Sequence, residues 1–428
     1  MEQKQKALLV GVNLNNKSDF KESMEELSNL ALACDFQVTG EVTQNLKASN
    51  NPLYIGTGKV KEVLYLIEET QSNVIIFNNE LSPSQLRNLE KALKCRILDR
   101  TALILEIFAQ RAQTHEAKLQ VEVANLKYML PRLIGSRENL GRQSGGVGTK
   151  NKGTGEKKLE LDRRKVEERI VALNRELENV VFQRQTQRKR RSKNHIPVVA
   201  LVGYTNAGKS TVMNAMIDSF KISEEKKVFE KNMLFATLET SVRSIVLPDN
   251  KNFLLSDTVG FVSNLPHDLV KAFRSTLEEV SEADLLIHVV DYSNPNYKHQ
   301  IEVTKDTLNQ IGAGDIPVIY AYNKVDLVES TVLLEESDAA YISAKKKVGI
   351  DKLIELISKR IFKEYIQCEM LIPYDRGNIV SHLKDKANVK SMKYETNGVL
   401  LDLECSKVDF EKHEEFLIAS DEVTLVEQ

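Results

Sequence analysis

The segment that most restricts this chain is Gly203-Tyr204-Thr205-Asn206-Ala207-Gly208-Lys209-Ser210, which follows an apolar run at 198–202 and opens a helix-compatible stretch at Thr211. Its GxxxxGK[ST] spacing supplies successive backbone N–H groups at a helix N-terminus, an ammonium and a hydroxyl, which together make a polyphosphate cradle. Strand, glycine loop and helix in this order predict an α/β fold with a mostly parallel sheet and helices on both faces. Lys209 is expected to bridge β- and γ-phosphates, and Ser210 to ligate Mg²⁺.

The downstream segments extend that reading. Phe253 to Ser256 reads as a buried strand ending in Asp257-Thr258-Val259-Gly260. This DxxG spacing fits a γ-phosphate sensor in which Asp257 holds the Mg²⁺ shell through water and the Gly260 amide faces the γ-phosphate. Between the two boxes, Phe235-Ala236-Thr237-Leu238-Glu239 offers Thr237 as a switch threonine over Mg²⁺, the alternative being a strand-edge threonine. A third strand, Ile316 to Ala321, leads to Asn323-Lys324-Val325-Asp326. The Asp326 carboxylate can accept two hydrogen bonds from guanine N1–H and the exocyclic amine, an arrangement adenine does not offer, so GTP is expected over ATP. Ser343-Ala344-Lys345 then supplies a backbone N–H for the guanine carbonyl. The expected catalytic set is Lys209, Thr237, Asp257 and Gly260.

After the DxxG glycine, Ras-like enzymes carry a water-orienting glutamine, whereas this chain has Phe261. A phenyl ring cannot orient water. Intrinsic hydrolysis is therefore expected to be slow and to be stimulated by a partner, a rearranged loop or a monovalent cation. Asn206 offers a ligand for K⁺, the alternative being that it only makes loop hydrogen bonds.

At 428 residues the chain is too long for one typical core. Its patterning predicts an N-terminal α/β domain over 1–98, a helical hairpin over 99–195 with a glycine-rich tip near 141–155, a P-loop GTPase domain over 196–365 and a small α+β domain over 366–428. In the first domain, Ser82 is expected to cap a helix that has Pro83 at its first position. Helical patterning runs from about Asp99 to Pro131 and from about Glu156 to Arg191. In the second stretch Val166, Ile170, Leu173, Leu177 and Val180 repeat at spacings of four and three, the seam of a helix packed on a partner. Each arm would be on the order of 50 Å long.

Lys plus Arg (59) nearly balance Asp plus Glu (61), so net charge says nothing of a polyanionic partner, but its distribution does. Residues 142–193 hold sixteen bases against seven acids. Arg142, Lys150, Lys152, Lys157, Lys158, Arg163, Arg164, Arg188, Lys189, Arg190 and Arg191 are candidate RNA-backbone contacts. A solvated helix face laced with i,i+4 ion pairs is the alternative. From Leu400 onward nine acids face two bases, which argues against nucleic acid there. Cys34, Cys95, Cys368 and Cys405 have no CxxC spacing and read as inert core residues of a reducing compartment. No run approaches the length of a signal core or membrane span, so a soluble protein without a targeting segment is expected; the cysteine pattern fits the cytoplasm, and a monomer is expected. Gly56-Thr57-Gly58-Lys59 reads equally as a helix-starting turn or as part of a second nucleotide site.

The order of glycine loop, FATL, DTVGF, NKVD and SAK, preceded by a helical arm and an α/β domain, resembles the HflX family of ribosome-associated GTPases across essentially the whole chain. The resemblance is sharpest at Gly145-Gly146-Val147-Gly148 through Leu159-Glu160-Leu161-Asp162-Arg163-Arg164, at Ile55-Gly56-Thr57-Gly58-Lys59, and at Phe261-Val262-Ser263-Asn264-Leu265-Pro266. Two segments depart from the family pattern. The usual Arg-Gly-Pro-Gly-Glu-Thr-Gln run is replaced by Asn151-Lys152-Gly153-Thr154-Gly155-Glu156-Lys157, and Asp-Pro-Thr-Thr after FATL by Glu239-Thr240-Ser241-Val242. The resemblance implies binding of GTP and GDP, and of the large (50S) ribosomal subunit in the GTP form. It implies that the arm reaches toward the peptidyl-transferase region, and that stalled or idle 70S ribosomes are split or rescued under stress. The alternatives are an assembly or RNA-modification GTPase of the Obg or Era type, or a slow nucleotide sensor.

Overall fold

The computed structural model describes residues 4–16, 19–49, 52–134, 152–192, 196–220, 241–263, 280–328, 337–363 and 365–418, with backbone alone at 152–159 and 183–192. These form two compact units. The first holds the described residues up to 189 together with 260–263, and the second the remainder.

The first unit is built on a parallel sheet of β1 (Lys6–Leu14), β2 (Gln37–Leu46), β3 (Val74–Phe77) and β4 (Arg96–Asp99), in the order β2-β1-β3-β4. β1 and β3 are apolar almost throughout because helices cover both faces of a parallel sheet, so neither face can be polar. Those helices are α1 (Phe20–Ala33), α2 (Thr57–Thr70) and α3 (Pro83–Leu93). Gly56 caps α2, so Gly56-Thr57-Gly58-Lys59 opens a helix. Ser82 Oγ accepts from Gln85 N–H at 3.3 Å while Gln85 Oε1 accepts from Ser82 N–H at 3.0 Å, a reciprocal box ahead of Pro83.

The helical stretch expected over 99–131 divides in two, α4 (Arg100–Arg111) and α5 (His115–Ile134). Ala112 takes an extended conformation, and the Thr114 hydroxyl accepts from Ala117 N–H at 3.2 Å, starting a new helix. α6 (Lys152–Ser192) runs antiparallel to α5: Arg169 meets Glu122 at 2.8 Å and His115 meets Glu176 at 2.9 Å, so positions fall on one helix as they rise on the other. Leu173, fully buried, packs with Leu119 and Val123, flanked by Leu126 and Leu177. Asp99 joins helices to sheet. Its carboxylate accepts from Ala102 N–H at 2.8 Å, Tyr128 Oη at 2.8 Å, Arg132 Nη2 at 3.0 Å and Leu81 N–H at 3.3 Å.

The second unit contains β5 (Val198–Val202), α7 (Lys209–Ser219), β6 (Ser241–Val246), β7 (Asn252–Asp257), β8 (Leu285–Asp291), α8 (Tyr297–Gln310), β9 (Val318–Asn323), β10 (Ala339–Tyr341) and α9 (Ile350–Ile361). Sheet order is β10-β9-β8-β5-β7-β6, parallel except for the β6 edge. Val199, Leu201, Phe253, Leu255, Ile287, Val289 and Ile319 fill its core with Val212 and Met216 of α7. There follow β11 (Tyr365–Ile372), α10 (Gly377–Lys386), β12 (Asn388–Glu395), β13 (Gly398–Ser406) and α11 (Lys407–Lys412). The three strands form an antiparallel sheet, β11-β13-β12, over a core of Met370, Ile372, Leu383, Leu401 and Leu403. Cys34, Cys368 and Cys405 are buried free thiols, and burial pushes Cys34 up to about 12, which keeps it protonated and inert. Among the described residues no helix is long and apolar enough to cross a membrane.

Leu173→Ala removes the central contact between α5 and α6. It is expected to cost about 3 kcal/mol, read as an earlier urea transition, whereas Val171→Ala, at a position 50% exposed, should leave the transition within about 0.5 kcal/mol of the parent. Equal effects would contradict the packing.

Candidate functional site

The carboxyl ends of β5, β7, β8 and β9 converge on one edge of the second unit's sheet, where an open α/β sheet places its ligand crevice. β5 ends at Val202 and the chain turns at Gly203, whose φ is +144°. A Cβ there would lie 2.2 Å from Val289 O of β8, so the close approach of loop to strand demands glycine. Asn206 is left-handed at φ +62° and exposed, and Gly208 at φ +95° caps α7. The first turn of α7 therefore begins at Lys209, with its N–H groups facing the mouth of the loop.

Lys209 lies across the loop with its Nζ donating to Gly203 O at 3.1 Å and Tyr204 O at 2.9 Å. It is 7% exposed, and burial lowers its pKa to about 8, with Asp257 opposing that shift. Ser210 Oγ donates to Asp257 Oδ2 at 2.6 Å, joining the first turn of α7 to the end of β7. The neighbouring Thr258 hydroxyl donates to Leu201 O at 2.6 Å, which fixes the β7 end against β5. A hydroxyl and a fully buried carboxylate at this separation beside a lysine form an oxygen-donor pair suited to a hard divalent cation. Val259, Gly260 and Phe261 follow, all buried, so the Phe261 ring faces protein. Two residues on, Ser263 N–H donates to Glu26 Oε1 at 3.4 Å and Ser263 O accepts from Arg100 Nη2 at 3.1 Å, with Arg100 also paired to Glu26, all within the first unit.

At the other end of the crevice, Asn323 ends β9 almost fully buried. Its Nδ2 donates to Ala207 O at 2.9 Å and its Oδ1 accepts from Ala344 N–H at 3.0 Å, so one side chain links the glycine loop, β9 and the 343–345 turn. A Cβ on Gly208 would lie 2.3 Å from that same Nδ2. Lys324, at φ +66°, donates from Nζ to Asn206 O at 2.8 Å and to Asp291 Oδ2 at 2.7 Å. Asp326 accepts from Ser343 Oγ at 2.7 Å, and that hydrogen bond holds its carboxyl below the usual carboxylate range. Ser343 Oγ also accepts from Lys346 N–H at 3.2 Å.

Within the second unit the structure thus brings together Gly203 to Thr211, Asp257 to Val259, Asn323 to Asp326 and Ser343 to Lys345, while Gly260 falls in the first unit. Phe235, Ala236, Thr237, Leu238 and Glu239 lie outside the described residues, as do Arg142 and Lys150. Lys152, Lys157, Lys158, Arg188, Lys189, Arg190 and Arg191 are on α6, where the backbone alone is described. Arg163 and Arg164 form i,i+4 pairs with Glu167 at 2.9 Å and Glu168 at 3.7 Å, the exposed ladder of the solvated-face alternative. Asp291 escaped the sequence reading. Its signal was available, an acid at the carboxyl end of an apolar strand. Ala344 N–H, one of the expected guanine donors, is held here by Asn323.

Gly208→Ala should retain the fold and lose nucleotide affinity on the order of tenfold or more, because the methyl meets Asn323 and the left-handed backbone disfavours it. Isothermal titration would show this, and parental affinity would contradict the described tie.

Models of three families match successive stretches: a GTP-binding GTPase N-terminal domain over 21–109, a GTP-binding GTPase middle region over 111–191 and a 50S ribosome-binding GTPase over 198–324. The GTPase HflX of Caldanaerobacter subterraneus subsp. tengcongensis is 44% identical over 97% of this chain and 94% of its own length. That of Escherichia coli is 37% identical over 95% of each. A crystal structure of a GTP-binding protein from Sulfolobus solfataricus in complex with GDP aligns with 83% of this chain and 98% of its own, at 24% identity and a TM-score of 0.45. On the full-length identity of these curated relatives, the chain belongs to the HflX family of GTPases.

Proposed function

We propose that the chain binds GTP and GDP, hydrolyses GTP to GDP and phosphate, and uses the nucleotide to control binding to the large ribosomal subunit, splitting or rescuing stalled or idle 70S ribosomes under stress. The observation that carries the nucleotide half is the Asn323 tie, which joins a phosphate cradle to a base-reading carboxylate across one crevice. The ribosomal half is supported by the family, by the family model's description as a 50S ribosome-binding GTPase, and by the basic arm.

In this reading the amides of 203–210 hold the β-phosphate, and Lys209 leaves its two carbonyl partners to pair with the β- and γ-oxygens. Ser210 and Asp257 would hold Mg²⁺, with Thr237 closing over it, and the ion would supply charge neutralisation between the phosphates. During hydrolysis a water oxygen bonds to the γ-phosphorus as the bond to the β–γ bridging oxygen breaks. Lys209 stabilises the charge that collects on the departing oxygen. Asp326, oriented by Ser343, reads guanine. Phe261 cannot position the water, which makes intrinsic turnover slow and leaves stimulation to the ribosome, with K⁺ at Asn206 as an aid.

Phosphate returns the buried Lys209 amine to its charged form, so binding at a pH above its free value must take up a proton. GDP affinity should fall as pH rises through about 8. Calorimetry at about pH 9 in buffers of different ionisation enthalpy should report uptake approaching one proton; identical heats in the two buffers would contradict it. Turnover measured with and without 50S subunits, in K⁺ and in Na⁺, should rise on the order of tenfold or more with 50S and be faster in K⁺. Sedimentation after incubation with a non-hydrolysable GTP analogue should convert 70S into 30S and 50S peaks. An unstimulated rate with an intact 70S peak would contradict the ribosomal reading, and equal rates in the two salts the role of Asn206.

A further inference from the structure

A side-chain cluster in the last part of the second unit has no part in the nucleotide site. Ser406, at the end of β13, caps α11: its Oγ accepts from Asp409 N–H at 3.1 Å and donates to Asp409 Oδ2 at 2.9 Å. His413 terminates α11 four residues after Asp409, so the two side chains share one face of the turn. From α10, His382 brings its Nε2 to 3.2 Å from Asp409 Oδ1. One potential ligand atom from each of the three residues lies within 4.8 Å of the others, the one such group of three among the described residues.

The second observation is independent of that convergence. His413 is 6% exposed, and its Nε2, shut off from solvent, makes no hydrogen bond. A buried polar atom without a partner is costly and points to a missing ligand. Ser406 occupies Oδ2 and leaves Oδ1 directed at His382, the outer support that metal-ligating carboxylates carry.

We propose that His382, Asp409 and His413 form a binding site for a divalent transition-metal ion, Zn²⁺ by preference, that fastens α10 to α11. Two imidazoles and one carboxylate are borderline donors matched to Zn²⁺ and unsuited to Mg²⁺ or Ca²⁺, which take oxygen shells. Ligand atoms at about 2.0–2.1 Å from a tetrahedral ion lie roughly 3.4 Å apart, so loading draws the cluster inward by about an ångström. His382, 39% exposed, can make that movement. Three protein ligands leave a fourth position to water.

The test is a titration of metal-stripped full-length protein with Co²⁺ in saturating Mg·GDP, which keeps the phosphate loop from contributing. The expected result is a visible d–d band saturating at one equivalent and abolished by Zn²⁺. His382→Ala, chosen because the side chain is partly exposed, and Asp409→Asn should each weaken Co²⁺ at least tenfold while GDP affinity stays parental, which excludes unfolding. A parent without the band, or a His382→Ala variant that keeps the parental stoichiometry and spectrum, would overturn the site.

Discussion

The side chain of Asn323 is the joint on which the crevice is assembled. Held at the end of β9 and nearly buried, it donates to the glycine loop and accepts from the 343–345 turn. Removing it leaves a buried carbonyl and a buried N–H without partners, at about 1–3 kcal/mol each, and three loops lose their common register. Other features follow from that joint. Gly208 must lack a side chain because Asn323 occupies the space, and Lys324, the next residue, reaches back to Asn206 while paired with Asp291. The glycine loop, the end of β9 and the 343–345 turn are thus tied through one side chain.

Much of this was legible in the sequence because its devices are local. A glycine loop between an apolar strand and a helix, an acid at a strand end and an asparagine at another specify backbone conformation and position together. The sheet of the second unit could be read in the same way, since parallel strands buried on both faces appear as uninterrupted apolar runs. The division of the helical stretch at Ala112 was missed because no glycine or proline marks it. Thr114, whose hydroxyl caps α5, was the available sign. Pairings between residues far apart in sequence were not legible. Asp99 gathers donors from three elements, and Glu26, Arg100 and Ser263 come together over more than a hundred residues. No periodicity encodes such convergence.

Burial sets the chemistry of the charged groups. Lys209 is sequestered with two carbonyls as its partners, so the free protein carries a desolvated ammonium that a phosphate would satisfy better. Ser210 and Asp257 are likewise drawn together across the gap between α7 and β7. One crevice thus presents a desolvated ammonium beside a hydroxyl–carboxylate pair. On the helical arm the balance is different. Arg163 and Arg164 are exposed and laddered with glutamates, so each pair is worth little to the fold.

The account turns on a carboxylate, Asp326, selecting guanine. The most direct measurement is the affinity of the parent and of Asp326→Asn for GDP and for xanthosine diphosphate, which presents a carbonyl where guanine has its amine. The account predicts that the substitution lowers GDP affinity on the order of 10- to 100-fold and raises that for the xanthosine nucleotide, since an amide N–H can donate to the new carbonyl. An unchanged preference for GDP would contradict it.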